Sequence, residues 1–364
     1  MDTPTLAATS AGAVPAVPHD VVATVVPISP NQRAWARFKR NRLGYWSLWI
    51  FLALLIVSTL AELISNDRPF VAKVDGRWFF PMVSNPSDRE LGGDFDTPAD
   101  WHDPFVRGNL AKPGNFAVFT LNDHAARSVN NFSMDADPAK PGHGHLLGTD
   151  EFGRDLLARL IYGFRISVWF GFLLTLCGVV LGVLAGAVQG YFGGRIDLAG
   201  QRFIEIWNSV PELYVLIIFA SIFEPSILLL LVLLSLFGWI SLSEYVRAEF
   251  LRNRGLEFVK AARALGLSNA QIIWRHVLPN SMTPVITFLP FRMSAAILAL
   301  TSLDFLGLGV NAQTPSLGDL LRQGKENLDA WWITVPTFAV LVLTLLLLTL
   351  IGDALRDAFD TRKS

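Results

Sequence analysis

Three ionisable residues sit inside stretches that otherwise read as membrane spans: Glu205, Glu212 and Arg292. A charge at mid-bilayer depth costs roughly 2.5–3.5 kcal/mol on insertion scales, so each must face a partner or a watery path rather than lipid. Arg292, in TFLPFRMSAAILAL, has two readings. It pairs with Glu205 or Glu212, or it lines a path and grips the carboxylates of a passing solute with its planar fork. Phosphate chemistry is missing: no G-x-x-x-x-G-K-[ST] loop occurs, and Gly324-Lys325 lacks the upstream glycine and the hydroxyl that phosphate and Mg²⁺ need. His143 and His145 flank Gly144 with no further ligand type at fixed spacing, and neither H-E-x-x-H nor G-x-S-x-G is present. The expectation is therefore no metal and no catalytic residue. The one cysteine, Cys177, lies in an apolar run and can form no internal disulfide.

The elements that must hold these residues are membrane helices. A chain of 364 residues with 52% hydrophobic and 17% charged content and a mean hydropathy of +0.41 is a multispan membrane protein. Its net charge of −1 and scattered basic residues give no footprint for nucleic acid. Six spans are expected: Gly44 to Ile64, Ile166 to Val188, Gly200 to Phe223 interrupted by Pro211, Ser226 to Leu242, Pro284 to Leu303, and Trp331 to Ile351. Arg33, Arg37, Lys39, Arg40 and Arg42 precede the first span, which places that end in the cytoplasm.

The resulting division is a disordered cytoplasmic tail (1–30), a basic segment with the first span (31–64), an outer insert (65–147), an amphipathic outer helix (148–165), a core of five spans (166–355) and a cytoplasmic tail (356–364). In the insert, Asp75-Gly76 between two short apolar runs predicts a type I′ hairpin, with Trp78, Phe79, Phe80, Trp101, Phe116 and Phe119 offering a modest core. The segment from Gly148 to Phe164 has Leu156, Leu157, Leu160, Ile161 and Phe164 on one stripe, and Arg154, Asp155 and Arg159 off it. Gly178, Gly182, Gly186 and Gly190 recur every four residues in the second span, baring one face for close approach of another helix.

A net-basic island, Ser243 to Ser281 (243–281), separates the fourth and fifth spans and is expected in the cytoplasm. Leu256, Val259, Ala262 and Leu265 recur at helical spacing, and Gly266 stands where a left-handed stop needs no Cβ. Ser268 and Gln271 then have capping-box spacing ahead of Ile272, Ile273, Trp274 and Val277, and Pro279 is expected to end this second helix. Two short helices joined at a glycine make a rigid knob suited to a groove on another protein.

Ala261, Ala262, Gly266, Leu278 and Pro279 stand in the order of the glutamate-Ala-Ala, Gly, Leu-Pro motif of bacterial ABC importer permeases. Lys260 occupies the glutamate position and His276 the usual isoleucine position, a departure that the peptide-importing branch shares. KAARALG and RHVLPN, the run GTDEFGRDLLARLIYGFRIS at Gly148 to Ser167, and SLDFLGLGV at Ser302 to Val310 follow that branch in order. From His145 onward the chain thus resembles the inner-membrane permease subunits of bacterial peptide ABC importers, of the oligopeptide and dipeptide C type. The long insert and the ending GDALRDAFD make it most similar to the Yej type.

The resemblance implies an all-α membrane protein with six transmembrane helices, a type I ABC importer permease fold, in the bacterial inner membrane with both termini cytoplasmic. It implies movement of peptides or peptide-like compounds from periplasm to cytoplasm, with partner ATPases docked on the 255–279 loop at Glu257, Lys260, Ala261, Ala262, Gly266, Leu278 and Pro279. A second homologous permease subunit and a periplasmic peptide-binding protein are implied as well. ATP and Mg²⁺ belong to the ATPases, and the permease itself binds no cofactor and is no enzyme. The rival class, an ion-coupled secondary transporter, calls for related halves, and no internal repeat is found.

Overall fold

The computed structural model describes residues 29–129, 136–142 and 144–360. The expected tail up to residue 28, His143 and residues 361–364 lie outside them. Helix α1 (Pro30–Arg40) opens on a capping box between Ser29 and Gln32, and its Phe38 is buried against Ala354 and Ala358 near the chain's far end. After Asn41 the first span, α2 (Arg42–Thr59), runs to a break at Leu60, and a single turn, α3 (Ala61–Ile64), leads into the insert.

The insert is a small α/β unit. Strands β1 (Val71–Val74) and β2 (Arg77–Phe79) form the expected hairpin, with Asp75 at φ 51° and Gly76 at φ 83°, the two left-handed residues that a type I′ turn demands. A third strand, β3 (Phe116–Val118), pairs antiparallel with the other edge of β1. Ala72, Val74, Leu91, Ala99, Trp101 and Val106, the last from α4 (Pro104–Leu110), make the core. Trp78 and Phe116 are not in it. Both sit opposite Lys73 in the register and so share its outward face, where their rings meet edge-on at 5.6 Å. Phe80 is exposed too.

No boundary separates an amphipathic outer helix from the second span. Residues 148–155 form a turn with Gly148 and Gly153 at positive φ. Asp155 then caps α5 (Leu156–Phe192), one 37-residue helix. Arg159, placed off the stripe by periodicity, is fully buried. The third span is a bent pair, α6 (Gly194–Asn208) and α7 (Glu212–Ile222), meeting at 61° before Pro211. The fourth, α8 (Ile227–Gly238) with α9 (Ile240–Asn253), runs on past Leu242 into the charged island. It does so because Ser243, Val246, Phe250 and Asn253 keep facing inward. Among the described residues five helices are long and apolar enough to cross a membrane, or six counting the bent pair as one span.

Gly178, Gly182, Gly186 and Gly190 face the α8–α9 span of the same chain. A Cβ on Gly182 would lie 2.9 Å from both Leu242 Cβ and Trp239 O, and one on Gly190 2.6 Å from Arg247 O. Beyond α9, α10 (Glu257–Ala264) and α11 (Asn269–Ile272) build the knob. Pro279 does not end the second helix. A π turn over Ile273–Val277, in which Leu278 N–H reaches Ile273 O, carries the chain into α12 (Leu278–Phe305), whose first turn contains Pro279. The wider turn makes room for the proline ring, which in a regular helix would strike the carbonyl four residues back. The fifth span therefore starts well before Pro284. Helix α13 (Leu317–Glu326) lies in the loop before the last span, α14 (Trp331–Phe359).

Candidate functional site

The knob's shape is set by two local devices. Gly266, at φ 80°, closes α10 in a Schellman turn: its N–H donates to Arg263 O at 3.0 Å and Leu267 N–H to Ala262 O at 3.2 Å. Ser268 Oγ then accepts from Gln271 N–H at 3.3 Å while Gln271 Oε1 accepts from Ser268 N–H at 2.9 Å, starting α11. Val259, Ala262, Ile272 and Val277 are buried in one cluster with Ala187 and Tyr191 of α5 and Leu242, Val246 and Phe250 of α9. Tyr191 OH donates to Asn269 Oδ1 at 2.9 Å, and Asn253 Nδ2 donates to the buried Ser281 Oγ at 2.8 Å. The knob is thus seated on the span ends.

Its outer surface is apolar in places: Leu265 is 80% and Trp274 64% exposed, with Leu256 and Phe258 also open. Periodicity put Leu256 and Leu265 on the inner stripe; they flank the short helix, where its face has already turned outward. Ala262 points into the protein's own core, so of the alanine pair only Ala261 is open to a partner. Lys260 and Glu257 pair with each other at 2.8 Å on the exposed side, Leu278 packs against the buried cluster, and Pro279 is exposed.

Midway along α12, Arg292 donates to the Gly238 carbonyl and, at 3.1 Å, to Ser241 Oγ, where α8 breaks into α9. A Cβ on Gly178 would lie 3.0 Å from Arg292 Nη2, so that glycine also leaves room for the guanidinium. Of the two readings of Arg292, the pairing with Glu205 or Glu212 is not formed. Glu205 pairs with Arg202 on its own helix at 2.5 Å and is exposed. Glu212 lines a cleft of about 260 Å³ with Arg292, Thr175, Ser241 and Ala299. Arg292 Nε and Thr175 Oγ1 are buried there without a hydrogen-bond partner. The cleft keeps donor capacity unspent beside a carboxylate, which suits a polar solute with both charges.

At the other end of α12, the run from Gly148 to Ser167 forms a buried ion network that its periodicity hid. Asp150 accepts from Arg154 Nε at 2.8 Å, with Arg154 Nη2 2.7 Å away, and lies 3.2 Å from Arg159 Nε. Arg159 Nη2 is 3.4 Å from Asp319 of α13, which also meets Arg322 at 2.7 Å. Gln323 Oε1 accepts from Glu151 N–H at 3.2 Å, and burial pushes the Glu151 carboxyl above its ordinary pKa. These contacts fasten α13 to the start of α5. Spacing within the run gives no hint of them, because Asp319, Arg322 and Gln323 come from a distant helix.

The insert also gathers His102, His124 and His145, which sequence spacing left apart. Their rings stack at 4.9 Å and then 4.1 Å. His102, together with Arg107, holds Asp123 well below the usual carboxylate range, and burial pushes the His124 imidazole below its ordinary pKa. His145 Nδ1 meets the buried Asp155 at 2.9 Å.

Residues 178–364 match the family described as "Binding-protein-dependent transport system inner membrane component". Residues 29–76 match the "N-terminal TM domain of oligopeptide transport permease C". The chain is 49% identical over 338 residues to the inner membrane ABC transporter permease protein YejE of Escherichia coli, covering 93% of this chain and 99% of that one. It is 44% identical to the peptidoglycan transport system permease protein YejE of Agrobacterium fabrum, covering 92% and 93%. It is 30% identical to the dipeptide transport system permease protein DppC of Lactococcus lactis, covering 92% and 91%.

Proposed function

Because this chain belongs to the family of inner membrane components of binding-protein-dependent transport systems, we propose that it is the peptide-conducting permease subunit of an ABC importer, driven through the knob at 255–279. Partner ATPases, which carry the ATP and Mg²⁺, dock on Leu265, Trp274 and the Glu257–Lys260 surface. A second, homologous permease completes the path, and a soluble peptide-binding protein delivers substrate to the insert side. That side faces the periplasm and the knob, with both termini, faces the cytoplasm, in keeping with the basic cluster before α2. The chain itself hydrolyses nothing.

The observation that carries this reading is the seating of the knob. It exposes Leu265 and Trp274 while Val259, Ile272 and Val277 lock it to the ends of α5 and α9. A surface loop with no partner has no need of both features. Substrate class rests on the named peptide permeases among its relatives and on the cleft, where Arg292 and Glu212 stand ready for the two termini of a peptide.

The test is a reconstituted complex of this chain, its second permease and the ATPases in liposomes. Peptide-dependent ATPase activity that requires the binding protein is expected, and activity indifferent to this chain would sink the proposal. For orientation, a cysteine placed at Asn269 should resist membrane-impermeant reagent in intact cells; labelling there would reverse the assigned sides.

A further inference from the structure

Three segments of the insert meet at its histidines. His102 comes just before α4, Asp123 and His124 follow β3, and His145 stands before α5. His102 Nε2 lies 3.7 Å from Asp123 Oδ2, and His124 Nε2 lies 3.5 Å from Asp123 Oδ1. Both separations are too long for hydrogen bonds. Both Nε2 atoms are buried and have no hydrogen-bond partner, which is unusual for ring nitrogens in a folded interior. The ligand-capable atoms of the three residues all lie within 4.8 Å of one another.

Those distances have a simple source. A tetrahedral Zn²⁺ with bonds of about 2.0–2.2 Å to nitrogen and oxygen holds neighbouring ligand atoms about 3.3 Å apart. We propose that His102, His124 and Asp123 form a binding site for a divalent transition-metal ion of the zinc class, with both imidazoles bound through Nε2 and Asp123 through its carboxylate. Two imidazoles and one carboxylate favour zinc over Mg²⁺ or Ca²⁺, which take oxygen.

The surroundings fit this role. Asp123 Oδ2 is held by Arg107 Nη2 at 2.7 Å, and the Arg107 guanidinium lies 4.3 Å over the Phe119 ring, which orients the carboxylate and leaves Oδ1 toward His124. Arg107 is a nearby cation that opposes the ion, but its charge is already spent on that oxygen. Behind the site, His145 stacks on His124, and His145 in turn meets Asp155, the cap of α5. Ser65 Oγ donates to His124 O at 2.7 Å. A bound ion therefore ties the β1–β3 unit to the segment that leaves α3 and the one that leads into α5, and fixes how the insert stands on the spans.

The full chain, purified in detergent and stripped with chelator, is incubated with zinc chloride, freed of excess ion and assayed by mass spectrometry. About one equivalent of zinc is expected, a single site of three protein ligands. His102→Ala and His124→Ala should each lose it, and His276→Ala, on the knob, should keep it. Should a ligand variant misfold, wild-type chain loaded with Co²⁺ decides the matter through the intense visible absorption of a tetrahedral site. Wild type without zinc, a double variant that retains it, loss in His276→Ala, or an octahedral cobalt spectrum would each overturn the assignment.

Discussion

Alanine at Gly186 adds one methyl group to α5 where that helix lies on α9. The new Cβ would stand 2.8 Å from Val246 Cβ and 2.9 Å from Arg247 N, and nearer still to Ser243 O. Carbon atoms settle at about 3.5–4.0 Å, so the two helices must part by roughly 1 Å along a face that also carries Gly182 and Gly190. Two effects compete. A helix-interior glycine replaced by alanine gains about 1 kcal/mol, while overpacking of this kind costs about 1–3 kcal/mol. Backbone atoms are what the methyl meets, and they cannot rotate away, so the upper half of that range applies and the net loss is about 1–2 kcal/mol. Gly163, buried in the same helix, is the control. Its added Cβ would meet Leu317 N at 3.4 Å and Leu317 Cδ2 at 3.5 Å, ordinary contacts. Gly163→Ala should therefore stabilise by up to about 1 kcal/mol. Tryptophan fluorescence of detergent-solubilised protein during heating reads both midpoints. A Gly186→Ala protein as stable as wild type, or a Gly163→Ala protein that falls with it, would refute the close-packing argument.

A Cβ at Gly266 would meet no neighbour within 4 Å, so the cost of Gly266→Val comes from the φ of 80°, about 1–3 kcal/mol for a β-branched residue; the chain should insert normally yet bind its ATPases weakly, and unchanged peptide-stimulated ATPase activity would contradict this. Arg159→Ala takes from the buried Asp150 one of its two guanidinium partners, Arg154 remaining, and removes one contact from Asp319, which should cost about 1.5–3 kcal/mol, with part of the loss recovered in the Arg159→Ala/Asp319→Asn double variant. Thermal midpoints of the three proteins check it, and an unaltered single variant would remove the network's structural role. Arg292→Lys keeps the charge and loses the fork, so uptake of acidic peptides should fall more than uptake of neutral ones at equal protein stability; equal uptake of both classes would take Arg292 out of the path.

Features encoded over a few residues were readable in the chain. Asp75-Gly76, Gly266 and the Ser268–Gln271 box each act within one turn, and each adopts the conformation that its residue types require. The family signatures led to the peptide-importer permease branch for the same reason, since their residues are contiguous. What stayed hidden depends on distant partners. Arg159 looked like a surface residue because its counter-charges come from Asp150 across a turn and Asp319 from another helix. Periodicity also cannot see where a helix continues through a break: the π turn before Pro279 and the buried Ser243 and Asn253 extend two spans beyond their apolar stretches. The aromatic count of the insert misplaced Trp78, because strand register, set by pairing with Lys73, decides which side of the sheet it occupies.

The continuity of residues 269–305 makes the knob and the Arg292 cleft two stations on a single shaft roughly 55 Å long, at 1.5 Å per residue. A push on Trp274, itself within the π turn, has no loop in which to dissipate, and beyond that turn the shaft gives only where Pro284 and Pro290 each remove a backbone hydrogen bond. Compensatory mutations for a damaged cleft should be sought at Ile273 to Val277, where a change of winding re-indexes every side chain further along the rod.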